Sequence, residues 1–385
     1  MTSRRAAPRV VLVAGTRPEC LKLASLATAL RSRADCSTLL MNSGQHQAMV
    51  ETTFAHLGER CDIDPGQSAS TTLSAALRSL RAQIRRSARD HGASLLVAQG
   101  DTTTAYATAL AGRDLDLPVA HVEAGLRTDH PLRPFPEEYF RRRISRLATL
   151  HFAPTIAAAR NLRREGIARE RIHLVGNTVI DLLREQAEAR ISSNPDFLPA
   201  TARLITLTLH RRENYGRGLD VVCGAILDLL AREQDIGVVC PVHPNPAVGA
   251  RIRRHLAAHP RVRLTEPLAY RPFIDLLTRS ALVVTDSGGI QEEAPYLGVP
   301  VLVVRENTER PESVAVGTTT LVPLQPDRII EEIERRLAAP RPAALPFAPE
   351  SPYGDGRSGL RCAELIGAFL ASASRVGRPL EAALA

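Results

Sequence analysis

The chain has 385 residues, a hydrophobic fraction of 44%, a charged fraction of 23% and a formal charge of +8. This length exceeds what one hydrophobic core usually fills and suits two domains of ordinary globular composition. Aromatic residues make up only 4%, the arginines are spread among acids, and no apolar run approaches the roughly 20 residues of a membrane span, so neither nucleic-acid binding nor membrane insertion is indicated.

The N-terminal half alternates strand and helix patterns. Apolar stretches typical of buried strands lie at residues 9–15, 37–44, 94–101, 117–125 and 171–177. Helical spacing of apolar residues predicts helices at 19–32, 103–114 and 137–150. The short apolar stretch at the N-terminus fits a first buried strand better than a signal peptide, so we expect a cytoplasmic protein.

The C-terminal half repeats this plan. Strands are predicted at residues 204–210, 236–243, 262–267, 281–288 and 299–304. Continuous apolar strands that alternate with helices indicate parallel sheets covered on both faces. We therefore predict an α/β protein of two Rossmann-like domains with the active site in the cleft between them. The first domain is assigned to residues 1–177 with a C-terminal helix at 364–385, and the second, nucleotide-binding domain to 178–363.

Two residue types have unusual or informative usage. The six cysteines are scattered without a CxxC pair, so neither a zinc site nor a disulfide framework is expected. Lys22 is the single lysine among 49 lysines and arginines. Its retention favours a role as a compact, flexible ammonium, which arginine fills poorly.

Polar clusters follow the predicted strands. In parallel α/β sheets, ligands bind at the carboxyl ends of the strands. The clusters stand at residues 15–19, 100–104, 121–127, 210–214, 243 and 286–289. Solvated loops alone would not be expected to place acids, histidines and arginines at so many strand ends. The pattern therefore favours an enzyme.

The stretch around Gly288 and Gly289 is typical of an anion site. Without side chains, their backbone N–H groups at a helix start can approach a diphosphate closely. Glu293, one turn into the helix, can accept hydrogen bonds from ribose, and Arg17 can clamp phosphates. The alternative is a tight strand-to-helix turn capped by Ser287. Neither a P-loop nor a dinucleotide-binding fingerprint is present.

Three acids in the first half are candidates for proton transfer. Asp101 and Glu123 lie at predicted strand ends, and Glu137 begins the predicted helix at 137–150. Carboxyl groups gathered in a closed site can have separated pKa values, so that one donates a proton and another accepts one. Two alternatives remain: Asp101 can cap the following helix, and His210 can be a core histidine.

These stretches resemble a known family, the non-hydrolysing UDP-N-acetylglucosamine 2-epimerases. The matching motifs are GTRPE (15–19) with Lys22, GQH (44–46), GDTTT (100–104), HVEAGLRT (121–128), PEE (136–138) with Arg141, GNTVID (176–181), HRREN (210–214), PVH (241–243), TDSGGIQEEAP (285–295), ERPE (309–312) and YGDG (353–356). The resemblance covers about residues 9–365. Its motifs are long and in order, which makes it specific at family level.

The resemblance implies a glycosyltransferase-B-like fold, a homodimer, and an isomerase that uses no metal or redox cofactor. Its expected partner is a nucleotide sugar. Proton removal at C2 would accompany departure of UDP from C1. The resulting glycal would take UDP back after protonation on its other face, giving UDP-N-acetylmannosamine. This chemistry needs an acid and a base near C2 and cations at the diphosphate.

Site residues follow from the resemblance by motif. The implied acid–base and proton-transfer groups are Asp101, Glu123, Glu137 and His210. The implied ligand-binding residues are Arg17, Lys22, Arg141, Ser287, Gly288 and Gly289, with Phe273 against uracil and Glu293 at the ribose. The implied contacts for an activating second ligand are Gln45, His46 and His243.

Alternative activities share these motifs. One is a hydrolysing 2-epimerase that releases N-acetylmannosamine and UDP, and another is an epimerase for a different nucleotide sugar. More distant alternatives are a glycosyltransferase of the same fold and a nucleotide-sugar-binding protein without activity. The family usually has Asn where this chain has Phe140 and Gly where it has Leu209. Both positions are expected near the sugar.

Overall fold

The computed structural model describes residues 7–68, 72–128, 130–132, 134–188, 203–209, 216–243 and 245–376. The chain divides into two compact units, Met1–Arg184 with Ala348–Ala385, and Glu185–Phe347. Each unit contains one six-stranded parallel sheet with helices, which confirms the prediction of two Rossmann-like α/β domains. Within the described ranges, no helix combines the length and apolarity needed to cross a bilayer.

The twelve strands of the described residues are shared equally between the units. They are β1 (Arg9–Ala14), β2 (Ser37–Asn42), β3 (Leu95–Gln99), β4 (Val119–Val122), β5 (Leu150–Ala153), β6 (Ile172–Leu174), β7 (Arg203–Thr208), β8 (Ile236–Pro241), β9 (Val262–Thr265), β10 (Leu282–Thr285), β11 (Val301–Val304) and β12 (Thr319–Val322). The first sheet has the order β2-β1-β3-β4-β5-β6, and the second has the order β12-β11-β10-β7-β8-β9.

Helices connect most of these strands. They are α1 (Arg17–Arg31), α2 (Gln47–His56), α3 (Leu73–Asp90), α4 (Thr103–Asp114), α5 (Glu137–Leu147), α6 (Ile156–Arg164), α7 (Thr178–Glu188), α8 (Arg217–Arg232), α9 (Pro246–Leu256), α10 (Tyr270–Arg279), α11 (Gly288–Leu297), α12 (Pro311–Ala315), α13 (Pro326–Ala338) and α14 (Ser358–Val376). A short 3-10 helix covers Arg169–Arg171.

Strand β1 is buried on both faces, as its continuous apolar sequence predicts. Val10 and Leu12 pack in a core cluster with α1, α2 and α14. Val11 and Val13 pack in a second cluster with α3, α4 and α5. Successive side chains of a strand point to opposite faces, so both clusters hold β1 in place.

Strand order reverses at one point in each sheet. In the first sheet, β1 lies between β2 and β3, and the helices that follow β1 and β3 cover opposite faces. The loops after these two strands therefore leave the sheet at a topological switch point, where α/β folds bind ligands. In the second sheet, β7 lies between β10 and β8, so the carboxyl end of β7 and the loop after β10 have the corresponding place.

The unit boundaries differ from the predicted ones at 177/178 and 363/364. The chain leaves the first unit after Arg184 and rejoins it at Ala348, well before the predicted position. The reason is the attachment of α14. The Asp181 carboxylate accepts hydrogen bonds from the backbone N–H groups of Ser358 and Gly359 at 2.8 and 2.6 Å. This contact fastens the start of α14 to the first unit.

Candidate active site

Asp101 lies at the carboxyl end of β3, at the switch point of the first sheet. Gly100 turns the chain there with a φ of 69°. Thr102 is the N-cap of α4, and its side-chain oxygen accepts a hydrogen bond from Ala105 N–H at 3.0 Å. The Asp101 carboxylate forms an ion pair with Nη2 of Arg141 on α5. The alternative that Asp101 caps α4 is therefore wrong.

Glu123 follows β4 in a backbone conformation that non-glycine residues seldom adopt. Its φ is 65°, in the left-handed region, and such strain concentrates at functional sites. Lys22 Nζ contacts one carboxylate oxygen, and Gln99 Nε2 donates to the other. A Cβ on Gly100 would stand 3.5 Å from Glu123 Oε2, so this carboxylate lies beside the loop that carries Asp101.

Helix α5 brings Glu137 and Arg141 toward the same loop. Glu137 is half-buried at the first position of α5, and Arg141, one turn later, is 5% exposed. Side chains four residues apart share one face of a helix. The ion pair between Arg141 and Asp101 therefore places Asp101 next to the face of α5 that carries Glu137. Gly100, the chain neighbour of Asp101, lies beside the Glu123 carboxylate.

Glu19 joins the loops after β1 and β3. Its carboxylate accepts hydrogen bonds from Gly15 N–H at 2.9 Å, Thr16 Oγ1 at 2.9 Å and Thr102 Oγ1 at 2.6 Å. Complete burial raises the pKa of Glu19 to about 7, against the lowering effect of these hydrogen bonds. Arg17 is half-buried at the first position of α1. It therefore directly follows a loop that these hydrogen bonds connect to the loop carrying Asp101.

The second unit carries the glycine turn after β10. Ser287 is the N-cap residue of α11 but makes no side-chain capping hydrogen bond, so the side-chain cap of the alternative interpretation is absent. Gly288 and Gly289 form the first positions of this helix. Backbone N–H groups at a helix start have no partner within the helix, and the helix dipole favours an anion there.

Arg310 packs against this turn. A Cβ on Gly288 would lie 2.4 Å from Arg310 Nη1, so only glycine leaves room for the guanidinium. Arg310 Nε donates to Glu292 at 2.6 Å, and Nη1 donates to Glu309 at 2.6 Å. All three charged side chains are almost fully buried. Two carboxylates therefore hold a buried cation behind a helix start.

Glu293 and Phe273 lie on two helices of the second unit, α11 and α10, that a hydrogen bond connects. Glu293 is 5% exposed on α11 and accepts a hydrogen bond from the Tyr270 hydroxyl at 2.7 Å. Tyr270 begins α10, and Phe273 is half-buried one turn later. Residues three apart share a helix face, so Phe273 stands on the face of α10 that carries Tyr270, the hydrogen-bond partner of Glu293.

Comparison with known proteins identifies the family of this chain. The family model described as UDP-N-acetylglucosamine 2-epimerase matches residues 28–367. The chain belongs to this family. The UDP-N-acetylglucosamine 2-epimerase of Escherichia coli strain K12 is 39% identical over 372 residues, which cover 93% of this chain and 98% of the E. coli protein. The family predicted from the motifs is thereby confirmed, and so is the assignment to an isomerase family.

Solved structures of family members have the same fold. The UDP-GlcNAc 2-epimerase of Neisseria meningitidis, solved bound to UDP-GlcNAc, has a TM-score of 0.87 at 34% identity, covering 93% of this chain and 99% of that one. The Methanocaldococcus jannaschii epimerase, solved with UDP-GlcNAc and UDP, has a TM-score of 0.83 at 30% identity, with coverages of 93% and 99%.

The family's implied activator residues lie in both units. Gln45 Oε1 accepts hydrogen bonds from Thr104 N–H at 3.1 Å and Thr104 Oγ1 at 2.8 Å, which fastens it to the start of α4. His46 is the N-cap residue of α2. His243 Nδ1 accepts a hydrogen bond from Asn245 N–H at 3.0 Å, and partial burial lowers the pKa of His243. His210 lies outside the described residues.

Two departures from the family pattern lie in hydrophobic cores. Phe140 is 3% exposed and packs against the Tyr106 ring, with ring centroids 4.9 Å apart. Leu209 is 2% exposed in the core cluster of the second unit. Each of these side chains is buried among apolar side chains of its own unit, and their nearness to the sugar stays a prediction.

Three residues of the candidate site were not predicted. Gln99 holds Glu123, Glu138 holds Arg141, and Arg310 packs on the Gly288 turn. Glu138 and Arg310 had a signal, since they stand inside the PEE and ERPE motifs, whereas Gln99 stands in no quoted motif. Among the described residues, no group of three or more His, Cys, Asp or Glu side chains could hold a metal ion.

Two buried histidines make the first unit sensitive to acid. His121 on β4 pairs in register with His151 on β5, and His121 Nε2 donates to Gly100 O at 2.7 Å. Burial lowers the pKa of His121 to about 4 and that of His151 to about 3. When the pKa of a histidine is lower in the folded state than its unfolded value of about 6.5, protonation favours the unfolded state. The full contribution of the neutral histidine to the free energy of unfolding is therefore present above about pH 6.5 and is lost as the pH falls.

His151→Leu is expected to reduce this acid sensitivity. Between pH 7 and pH 5, the unfolding free energy of the wild type should fall by about 2 kcal/mol more than that of the variant, at about 1.4 kcal/mol per pH unit below 6.5. Urea denaturation at both pH values measures the difference. His56→Leu, at an exposed position, is the matched control. Equal pH dependence in wild type and His151→Leu would contradict the prediction.

Proposed function

We propose that this protein inverts C2 of UDP-N-acetylglucosamine to give UDP-N-acetylmannosamine. UDP would be eliminated to form a glycal and then added back after protonation on the other face. Membership of the family supports this activity. The single structural observation that carries it is the cluster at the first switch point, where Asp101, Glu123 and their cationic partners Arg141 and Lys22 gather.

Proton transfer at C2 is assigned to the carboxyl groups of this cluster. Asp101, Glu123 and Glu137 are the proposed acid–base groups. Exchange of a C2 proton needs one group that accepts it and another that donates on the opposite face. Asp101 contacts Arg141, whereas Glu123 contacts Lys22 and Gln99. These different surroundings are consistent with two carboxyl groups that have different tasks in proton transfer.

Binding of UDP is assigned mainly to the second unit. We propose that the backbone N–H groups of Gly288 and Gly289, together with Ser287, bind the diphosphate. Glu293 would accept hydrogen bonds from ribose, and Phe273 would lie against uracil. This proposal rests on the N-terminus of α11, on the buried Arg310 guanidinium next to Gly288, and on the Tyr270–Glu293 hydrogen bond between α10 and α11.

The remaining ligand contacts follow from the family pattern. Arg17, Lys22 and Arg141 would supply positive charge to the departing diphosphate, which lowers the barrier to its loss. His210 would assist at the diphosphate or in proton transfer. Gln45, His46 and His243 are retained as candidates for an activating ligand. A homodimer and a cytoplasmic location also remain proposals, and sedimentation would test the dimer.

The proposed reaction is tested by its products. Purified protein and UDP-N-acetylglucosamine are incubated and followed by proton NMR and mass spectrometry. The expected product is UDP-N-acetylmannosamine at unchanged mass. Free N-acetylmannosamine with UDP would establish the hydrolysing reaction instead. No change with folded protein, in a screen that includes other nucleotide sugars, would contradict the proposal.

A further inference from the structure

Glu138 is a fully buried carboxylate next to the proposed catalytic Glu137. It stands in the first turn of α5 with a solvent exposure of 0%. Its oxygens accept hydrogen bonds from Arg141 Nη1 at 3.0 Å, Arg142 Nε at 3.0 Å and Thr128 N–H at 3.2 Å. A buried charge persists only when it is paired and hydrogen-bonded, and these donors meet that condition.

Arg141 connects this carboxylate to Asp101. Its Nη1 donates to Glu138 while its Nη2 pairs with Asp101 Oδ2. A guanidinium is a rigid planar fork, so fixing one nitrogen limits where the other can point. The Asp101 side chain is 25% exposed, whereas the Glu138 side chain is 0% exposed. Glu138 is therefore the fixed end of the bridge.

We propose that Glu138 is a positioning residue for the reaction, acting on Asp101 through Arg141. This inference rests on the proposed function, in which Asp101 transfers a proton at C2. By engaging Nη1, Glu138 keeps the guanidinium from turning both nitrogens toward Asp101. Without that anchor, Arg141 forms a two-pronged pair with Asp101. The carboxylate oxygens are then occupied and displaced from the substrate proton.

A structural role alone would have different consequences. If Glu138 only stabilised α5, its replacement would lower the stability of the protein without changing turnover by the folded fraction. Glu165 provides the comparison, because it pairs with Arg127 at 2.6 Å and with Arg142 at 3.2 Å at the outer end of the same ion-pair network. The Glu165 side chain is 25% exposed, and these two ion pairs run to Arg127 and Arg142 rather than to the bridge between Glu138 and Asp101.

Glu138→Gln is the direct test, with Glu165→Gln as its control. The amide keeps the shape of the side chain but removes the charge, and it replaces one of the two acceptor oxygens by an NH2 group that cannot accept from Arg141 or Arg142. For Glu138→Gln, kcat is expected to fall about 10- to 100-fold with KM within about 3-fold of wild type, the pattern of a misplaced catalytic group. Glu165→Gln should keep kcat within about 2-fold. Wild-type kcat in Glu138→Gln would overturn the proposal.

A double-mutant cycle shows whether the effect passes through Arg141. Arg141→Lys keeps a positive charge but lacks the rigid planar fork that holds one carboxylate on each terminal nitrogen, so it should lower kcat by itself. Adding Glu138→Gln to Arg141→Lys should then lower kcat by less than about 2-fold. Full activity in Arg141→Lys, or two losses that multiply, would overturn the proposal. Arg141→Lys also serves if Glu138→Gln does not fold.

Failure of the proposed function can be told apart from failure of this inference. If the wild type does not turn over any nucleotide sugar, the proposed function is wrong. The bridge is then tested by unfolding free energies of Asp101→Asn, Glu138→Gln and the double variant. Non-additive losses would support coupling of the two carboxylates through Arg141, and additive losses would refute it.

Discussion

Asp101→Asn is expected to lower kcat by about 10²- to 10⁴-fold, the usual contribution of a positioned acid or base. The amide has nearly the same shape but can neither accept nor release the C2 proton. Binding of UDP should stay within about 3-fold, because UDP is assigned mainly to the second unit. Turnover is measured by NMR and UDP binding by calorimetry.

A matched control separates catalysis from folding. Asp116→Asn makes the same change at an exposed position just beyond α4, in a left-handed conformation that Asn tolerates. It should keep full activity. The melting temperature of Asp101→Asn reports any cost of removing the charge beside Arg141. Full activity in Asp101→Asn would remove this residue from the mechanism.

Gly288→Ala and Gly289→Ala should change the free energy of unfolding in opposite directions. A Cβ on Gly288 meets Arg310 Nη1 at 2.4 Å, whereas a Cβ on Gly289 has no protein atom within 4 Å. Gly288→Ala must displace a buried guanidinium held by two carboxylates, so it should lose about 1–3 kcal/mol of unfolding free energy. Gly289→Ala should gain up to about 1 kcal/mol, because alanine favours helix.

UDP binding should nevertheless fall in both variants. In Gly289→Ala the added methyl group occupies the space through which a diphosphate approaches the helix start, so an affinity loss of about 10-fold or more is expected despite intact stability. Denaturation and calorimetry on both variants test this pair. Wild-type UDP affinity in Gly289→Ala would contradict the placement of the diphosphate at this turn.

The sheets were largely predictable because most of their strands are continuous apolar runs. Strands β1, β3 and β10 fall within predicted stretches, and β7 begins one residue before its predicted stretch. Strand β12 was not predicted. Strand β5 was also missed: helix α5 ends at Leu147 instead of residue 150, and Leu150 begins a four-residue strand. So short an apolar segment after a helical pattern carries no period of its own. Its pairing with β4 and β6 determines it.

The site was predictable at strand ends and not beyond them. Glycines and acids after β3 and β10 could be recognised in the sequence, because parallel α/β folds bind ligands at the carboxyl ends of their strands. Glu137 and Glu138 are adjacent acids, and nothing in the sequence says which one turns into the protein. That choice depends on Arg141 and Thr128, which tertiary packing brings to Glu138. The support of Glu123 by Gln99 is equally non-local.

Solvent exchange at C2 tests the proposed proton transfer most directly. UDP-N-acetylglucosamine is incubated with the protein in D₂O, and the C1 and C2 proton signals are followed by NMR with Asp101→Asn as the inactive comparison. Removal and return of the C2 proton predict deuterium at C2 in the epimerised product and a mass increase of one unit. Epimerised product that keeps its original C2 proton would contradict exchange through these carboxyl groups.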